Sequence, residues 1–195
     1  MNTEIIDYPI NLEEQIIKDS KIFYPKITLQ KSDLERFIRK CFRDENFSFC
    51  SKYIIICKIN STIFTFNQLT VLKFNLSRPV FLSSSFSLPD KFKNNEKMES
   101  ALSNYLKKIS LYLSESKESL NEKDYWMFYP QICTIDYFLS QNLFDWFTLC
   151  SLKEYNNIST ELKNVAENIF EKLSEKYSFM FNSLTYKSFL RIKRR

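Results

Sequence analysis

Residues 53–74 read YIIICKINSTIFTFNQLTVLKF and combine two secondary-structure patterns in one short stretch. The apolar run at 53–57 is rich in β-branched isoleucine and predicts a strand that is buried on both faces. The apolar spacing of 62–74 fits a helix capped by Ser61 or Thr62, although its threonine and valine residues leave a strand open. A strand followed at once by a helix indicates a domain of mixed composition.

The rest of the chain adds long helices and few further strands. Helical periodicity is clearest at 159–176, behind a cap at Ser159, and at 32–43, where Ser32 and Glu35 have the spacing of a capping box. We predict further helices at 93–114, 121–129 and 141–152, strands at 3–8 and 131–139, and a loop or edge strand at 75–90. With no internal repeat and no linker, this pattern predicts a single α+β domain over residues 1–186, with a few-stranded sheet packed against long helices.

Two sets of large side chains are candidates for the core. The helix at 93–114 places apolar residues on one face, which we expect to point inward: Met98, Leu102, Tyr105, Leu106, Ile109 and Leu113. Aromatic residues are also clustered in sequence: Trp126, Phe128, Tyr129, Trp146 and Phe147. Such a cluster could stack nucleic-acid bases. Packing in the core or at a subunit interface is the more frequent use of large aromatics.

The chain contains no histidine and no glycine in 195 residues. Without histidine, a Ser-His-Asp triad, a Cys-His dyad and a histidine-based zinc site are excluded. Without glycine, the Rossmann fingerprint and the P-loop are excluded, because both need glycine where the backbone approaches a phosphate. Tight turns must therefore be built from Asn, Asp, Ser and Pro.

The cysteines and the hydropathy of the chain indicate a cytoplasmic protein. The five cysteines are odd in number and form no CxxC pair, so we expect reduced, buried thiols and no metal site. Residues 1–9 carry Glu4 and Asp7 and do not resemble a signal peptide. No apolar run approaches the ~20 residues of a membrane helix, so we expect no membrane contact.

The net charge of +5 is concentrated at the C-terminus. Residues 187–195 contain no acid and five basic residues: Lys187, Arg191, Lys193, Arg194 and Arg195. Five of the 28 basic residues lie there, so residues 1–186 contain 23 basic and 23 acidic residues and carry no net charge. We interpret 187–195 as a basic C-terminal tail. It could contact nucleic acid or an acidic partner weakly, or it could be a solvated terminus without a partner.

The second half of the chain contains a recognisable order of predicted elements and sequence segments. Phe128-Tyr129-Pro130 ends a predicted helix, a strand follows at 134–139, residues 140–150 read SQNLFDWFTLC, and Glu161-Leu162 opens the last long helix. This order resembles the flavin-dependent thymidylate synthases. That family has a helix ending in an apolar residue and proline, a strand, the segment Ala-Arg-Ser-Leu-x-Asn-Phe-Leu-x-Leu-Arg, and a long amphipathic helix. The resemblance covers about two thirds of the chain and rests on spacing more than on identities.

The charged signature of that family is largely replaced in this chain. Val71-Leu72-Lys73 stands where the family has Arg-His-Arg, so one positive charge remains, and Ser77 and Arg78 stand for the later Ser and Arg. Gln141 and Cys150 replace both arginines of the later segment, and the histidine beyond it is missing. Arginine binds phosphate bidentately, and a neutral amide does not replace that charge.

The resemblance implies a fold, a chemistry and a set of contacts. The family methylates dUMP reductively with FAD, a methylene folate and NADPH, and it assembles as a homotetramer with active sites between subunits. By position, the cofactor-binding candidates are Gln68, Lys73, Ser77 and Arg78, and the substrate-binding candidates are Gln141, Asn142 and Asp145. The alternative for these residues is ordinary loop polarity before Pro79 or solvated faces of amphipathic helices.

Three functions follow from these observations. The first is a catalytically inactive homologue that acts as a structural or regulatory subunit in a homo- or hetero-oligomer, or as a residual binder of FAD or nucleotide. The second is a small interaction module that binds nucleic acid or an acidic partner through its basic C-terminal tail. The third is an enzyme that remains active with a rebuilt site.

Overall fold

The computed structural model describes residues 2–77, 79–88, 94–115 and 129–193. The strands are β1 (Asn2–Asp7), β2 (Ile54–Thr62), β3 (Val80–Phe86) and β4 (Cys133–Asn142). The helices are α1 (Leu12–Phe23), α2 (Leu34–Arg43), α3 (Ile63–Val71), α4 (Glu96–Glu115), α5 (Leu143–Cys150), α6 (Thr160–Lys176) and α7 (Ser183–Lys193). Short 3₁₀ turns occupy Lys31–Asp33, Cys50–Lys52 and Ser151–Glu154. The described chain is therefore mixed α and β, as the sequence predicts.

The four described strands form one antiparallel sheet in the order β1-β2-β4-β3. Its centre is the pair β2 and β4, which runs without interruption from Ile54 opposite Asn142 to Thr62 opposite Thr134. Each of these strands continues directly into a helix, β2 into α3 and β4 into α5. Because the two strands are antiparallel, α3 and α5 begin at opposite ends of the sheet.

On the described central pair of strands, one face of the sheet is buried and most residues of the other face are partly or fully exposed. Ile55, Cys57 and Ile59 are buried, whereas Ile54 on the other face is 54 % exposed. Phe138, opposite Lys58 on the central pair, is also exposed. The prediction of a strand buried on both faces is therefore wrong, because a continuous apolar run does not reveal whether a second layer covers the sheet.

Aromatic side chains pack α2, α5 and α7 against one another, and Trp146 of α5 joins them to the covered face of the sheet. Phe147 of α5 stacks on Phe181 with 4.4 Å between ring centroids, and Phe42 of α2 meets both Phe147 and Phe189 of α7 edge-on. Trp146 is fully buried and donates to the carbonyl of Ile55. Trp146 and Phe147 therefore serve the core; Trp126 and Phe128 lie outside the described residues.

Five of the described helices begin at side-chain caps, and Asn95 and Asn182 supply those of α4 and α7. The Thr62 hydroxyl accepts from the backbone N–H of Thr65, Asn142 accepts from that of Asp145, and Ser159 accepts from that of Leu162. The predicted caps of α3 and α6 are confirmed. The Ser32–Glu35 capping box is wrong, because a 3₁₀ turn occupies Lys31–Asp33 and α2 begins at Leu34 without a side-chain cap.

Positive φ angles are carried by residues other than glycine. Lys73 has φ 63° just after α3, and Glu45 has φ 54° just after α2. At Lys73 the backbone N–H of Lys73 bonds to the carbonyl of Thr70 and that of Phe74 to the carbonyl of Leu69. This is the Schellman arrangement, in which glycine usually holds the left-handed position. In this chain without glycine, residues that carry a Cβ therefore adopt the strained left-handed conformation at these helix ends.

The described helices differ from the predictions in two respects. α1 and α7 were not predicted, and α7 packs against α2 with Phe189 buried in the core. On α4, Leu106 is buried, but Met98 and Tyr105 are exposed rather than inward, since this helix packs mainly against the edge strand β3. The helix predicted at 121–129 falls almost entirely outside the described residues.

Candidate functional site

A groove of about 610 Å³ lies between α3 and the segment that joins α5 to α6. The α3 wall is formed by Phe64, Asn67, Gln68, Val71, Leu72 and Phe74. The facing wall is formed by Thr148, Leu152, Tyr155, Asn157, Ile158 and Leu162. We call this feature the α3 groove. Most of its lining side chains are apolar or aromatic, which is typical of a binding site.

The rim of the α3 groove is unusually apolar for a surface. Val71, the last residue of α3, is 79 % exposed, and its neighbour Leu72 is 44 % exposed. Phe64 on the same wall and Tyr155 on the facing wall are also exposed large side chains. A contiguous exposed apolar patch of this kind marks a protein or ligand contact more often than chance.

Polar side chains fix the two walls of the α3 groove to their neighbours. The Gln68 side-chain oxygen accepts from the Ser159 hydroxyl at 2.6 Å, which joins α3 to the start of α6. Asn67 donates through its amide to the side-chain oxygen of Gln131 at 3.0 Å. These bonds hold the walls in place. The amide groups of Gln68 and Asn67 are therefore engaged within the protein and help to define the shape of the groove.

A second polar cluster lies where β2 turns into α3. Glu161, in the first turn of α6, accepts from the backbone N–H of Thr62 at 3.0 Å and from the Thr65 hydroxyl at 2.8 Å. The Tyr137 hydroxyl is 2.8 Å from the Ser61 hydroxyl. Burial raises the pKa of Tyr137 well above its ordinary value, so its hydroxyl remains protonated. The cluster ties β2, α3 and α6 together.

The cofactor-binding candidates are dispersed. Gln68 lines the α3 groove, and Lys73 lies exposed just beyond its α3 wall. Ser77 instead continues the edge of the sheet: its N–H donates to the Phe138 carbonyl and its hydroxyl accepts from the Phe138 N–H, both at 2.9 Å. Arg78 lies outside the described residues. The structure therefore does not bring the described members of this set into one pocket.

The substrate-binding candidates all bond within the chain. Gln141 is buried and donates to the carbonyl of Asn75 at 3.2 Å. Asn142 and Asp145 bond reciprocally as the cap of α5, with the Asn142 amide donating to the Asp145 carboxylate at 2.8 Å. Burial raises the pKa of Asp145, although the bond from Asn142 opposes this. Gln141 reaches the 75–77 segment, but none of the three lines the α3 groove.

The thiols have the environment of structural cysteines. All five are free and buried, and burial raises the pKa of Cys57 to about 12 and that of Cys133 to about 11. A thiol that stays protonated at neutral pH is a poor nucleophile. Within the described ranges, no cluster of three acidic or thiol side chains is placed to hold a metal ion, and no helix is long and apolar enough to cross a bilayer.

The sequence did not identify the apolar rim. Phe64 and Val71 are seven residues apart on α3, and this spacing predicts a shared helical face without showing whether that face is buried. Tyr155 lies in a connecting segment without periodicity.

A scan against protein-family models matches no family, and a search of curated proteins finds no match.

Proposed function

We propose that this chain is a catalytically inactive relative of the flavin-dependent thymidylate synthases that acts as a structural or regulatory subunit. One observation carries the proposal: Val71 and Leu72, at the place where the resemblance puts Arg-His, are exposed apolar residues on the rim of a groove. A surface of this chemistry suits another protein better than a phosphate.

The electrostatics of the α3 groove support the loss of nucleotide chemistry. None of its twelve lining residues is charged. Of the three positions where the resemblance puts Arg-His-Arg, only Lys73 carries a positive charge, and it does not line the groove. A charged hydrogen bond contributes about 1.5–3 kcal/mol. A dianionic nucleotide that loses three or four such bonds keeps little affinity for this site.

The hydrogen bonding of the candidate residues supports the same proposal. Asn142 and Asp145 bond to each other across the α5 cap, and Ser77 bonds to Phe138 along the sheet edge. A ligand that recruited these groups would have to break bonds that hold the fold. Of the order on which the resemblance rests, the described residues include a strand at Cys133–Asn142, a helix at Leu143–Cys150 and a long helix at Thr160–Lys176.

The test is a direct measurement of flavin and nucleotide binding. The purified chain should be colourless, and titration with FAD and then dUMP should leave both the visible spectrum and calorimetric heats unchanged. An active flavin-dependent thymidylate synthase serves as the positive control under the same conditions. Saturable binding of FAD or dUMP at micromolar concentration would contradict the proposal and favour an enzyme with a rebuilt site.

A further inference from the structure

We propose that α2 and α7 together form a surface that binds the phosphate backbone of a double-stranded nucleic acid. We call it the α2–α7 surface, and define it by the exposed cations Arg36 and Lys40 of α2 and Lys187 and Arg191 of α7. The sequence indicates a basic tail at the C-terminus, whereas the structure places a second row of cations beside it. The inference is additional to the proposed function and does not depend on it.

The two helices carry the whole positive excess of the chain. α2 contains four basic residues and one acidic residue, and α7 contains three basic residues and no acidic residue. Their joint net charge of +6 exceeds the +5 of the entire chain, so the other residues together carry a net charge of −1. A positive charge concentrated on one part of a protein attracts polyanions.

The fold brings these helices together although they lie far apart in the sequence. α2 packs directly against α7, and the ring centroids of Phe42 and Phe189 are 5.6 Å apart. Both helices bury their apolar residues in the same core, which leaves their basic faces at the surface. On each helix the two exposed cations are four residues apart and therefore lie one turn from each other. The surface thus presents two short rows of cations.

The four cations that define the surface are available to a ligand. Within the described part of the chain, none of them forms an ion pair. Two other arginines of α2 differ in this respect, since Arg39 pairs with Glu35 at 3.5 Å and Arg43 with Asp44 at 3.6 Å. Cations without a protein partner can neutralise phosphates and release the counterions of the nucleic acid without first breaking a salt bridge.

The uncharged side chains of the two helices favour a duplex over other polyanions. All aromatic residues of α2 and α7 are buried: Phe37, Phe42, Tyr186 and Phe189. These rings cannot stack on unpaired bases, as single-strand binders require. Among the side chains that the structure describes on the two helices, Leu184 is the one large apolar residue that is exposed. A helix that lies in a membrane surface buries a whole apolar face there.

The spacing of the two rows suits the groove of a duplex. Packed helices lie about 8–10 Å apart, and the grooves of B-form DNA are about 6 and 12 Å wide. One row of cations can therefore follow each of the two strands that border a groove. A single strand would engage one row, so we expect it to bind more weakly. DNA and RNA duplexes share this backbone chemistry, and the experiment includes both.

The test is fluorescence anisotropy of the full chain with labelled DNA and RNA duplexes of about 20 base pairs and mixed sequence, at several salt concentrations. We expect micromolar binding at low salt, with a slope of log K against log salt of about −3 to −4 for DNA, because four cations each contribute about −0.9. The variants R36A/K40A and K187A/R191A should each weaken binding at least about fivefold and reduce the slope by about 1.8.

The matched control is K107A/K108A, which removes two exposed cations from α4 and should leave binding unchanged. Circular dichroism establishes that each variant is folded. A loss in the α7 variant alone would assign binding to the C-terminal segment and overturn the joint surface. The proposal is also overturned by equal losses in the control, by a single strand that binds more tightly than the duplexes, or by no duplex binding at about 100 μM protein. Binding to vesicles of equal parts phosphatidylserine and phosphatidylcholine, without binding to either duplex, would replace the nucleic acid with a membrane.

Discussion

Glu161 accepts a hydrogen bond from the backbone N–H of Thr62 at 3.0 Å, so the first turn of α6 caps the end of β2 where α3 begins. The two residues are 99 positions apart in the sequence. The same carboxylate also accepts from the hydroxyls of Thr62 and Thr65. One side chain thus fixes the relative position of three elements that shape the α3 groove.

The Glu161 contacts predict a clear stability effect. Glu161→Ala should lower the free energy of unfolding by about 1–3 kcal/mol, because it leaves the Thr62 N–H and two hydroxyls without their acceptor. Urea denaturation followed by circular dichroism measures the change. Glu167→Ala, an exposed position on the same helix, is the control and should shift stability by less than about 0.5 kcal/mol. Equal effects of the two variants would contradict the structural role of Glu161.

The buried Asp19 carboxylate predicts a loss of stability in acid. Burial alone would raise its pKa, but hydrogen bonds from Lys52 at 2.7 Å and from Tyr53 outweigh burial, so the pKa of Asp19 is lowered below its ordinary 3.8. The stabilisation is therefore complete above pH 3.8 and is lost as the pH falls through the lowered value.

The variant Asp19→Asn tests this pH dependence. It should be less stable than the natural chain at pH 6, because a neutral amide replaces the ionised acceptor. The difference should shrink as the pH falls below 3.8, which urea midpoints between pH 3 and 6 will show. A difference that stays constant over this range would mean that Asp19 does not titrate with a lowered pKa.

The left-handed backbone at Lys73 predicts a stabilising substitution. Lys73→Gly should raise the free energy of unfolding by up to about 1 kcal/mol, because glycine adopts φ 63° without a Cβ clash. Lys73→Ala removes the same charge but keeps the Cβ, and thus isolates the backbone effect. Thermal denaturation compares the two variants. A stability gain in the alanine variant equal to that in the glycine variant would assign the effect to the lysine side chain instead.

The basic residues of α7 make the alternative function testable. Deleting residues 187–195 is unsuitable, since Phe189 is 2 % exposed and belongs to the core. Lys187 and Arg191 are exposed and four residues apart on α7. If the chain binds nucleic acid through them, the double change to Ala should weaken binding and reduce the salt slope by about 1.4 for a single strand.

The matched control for α7 is the pair Lys107→Ala and Lys108→Ala on α4, which removes two exposed cations from another helix. Fluorescence anisotropy with a labelled single strand at several salt concentrations measures both variants. Unchanged binding in the α7 variant, or equal losses in both, contradicts a specific role for this segment.

Much of the secondary structure could be predicted because its signals are local. The α6 helix follows from apolar residues at helical spacing behind Ser159, and the predicted face of α2, including Phe37 and Cys41, is buried. The left-handed turn at Lys73 could not be foreseen, because lysine carries no turn signal. Likewise, α7 was not predicted, because its basic residues indicated a solvated tail. Only the packing of Phe189 against α2 shows that this helix belongs to the core.

The candidate site divides in the same way. The sequence by itself determined that no histidine or glycine can act here, and that residues 71 and 72 are the apolar pair Val71 and Leu72. Only the tertiary structure decided that these residues are exposed beside a groove and that Asn142 and Asp145 bond to each other. The reason is physical: residue identity excludes chemistry outright, whereas the exposure of a helical face depends on what packs against it.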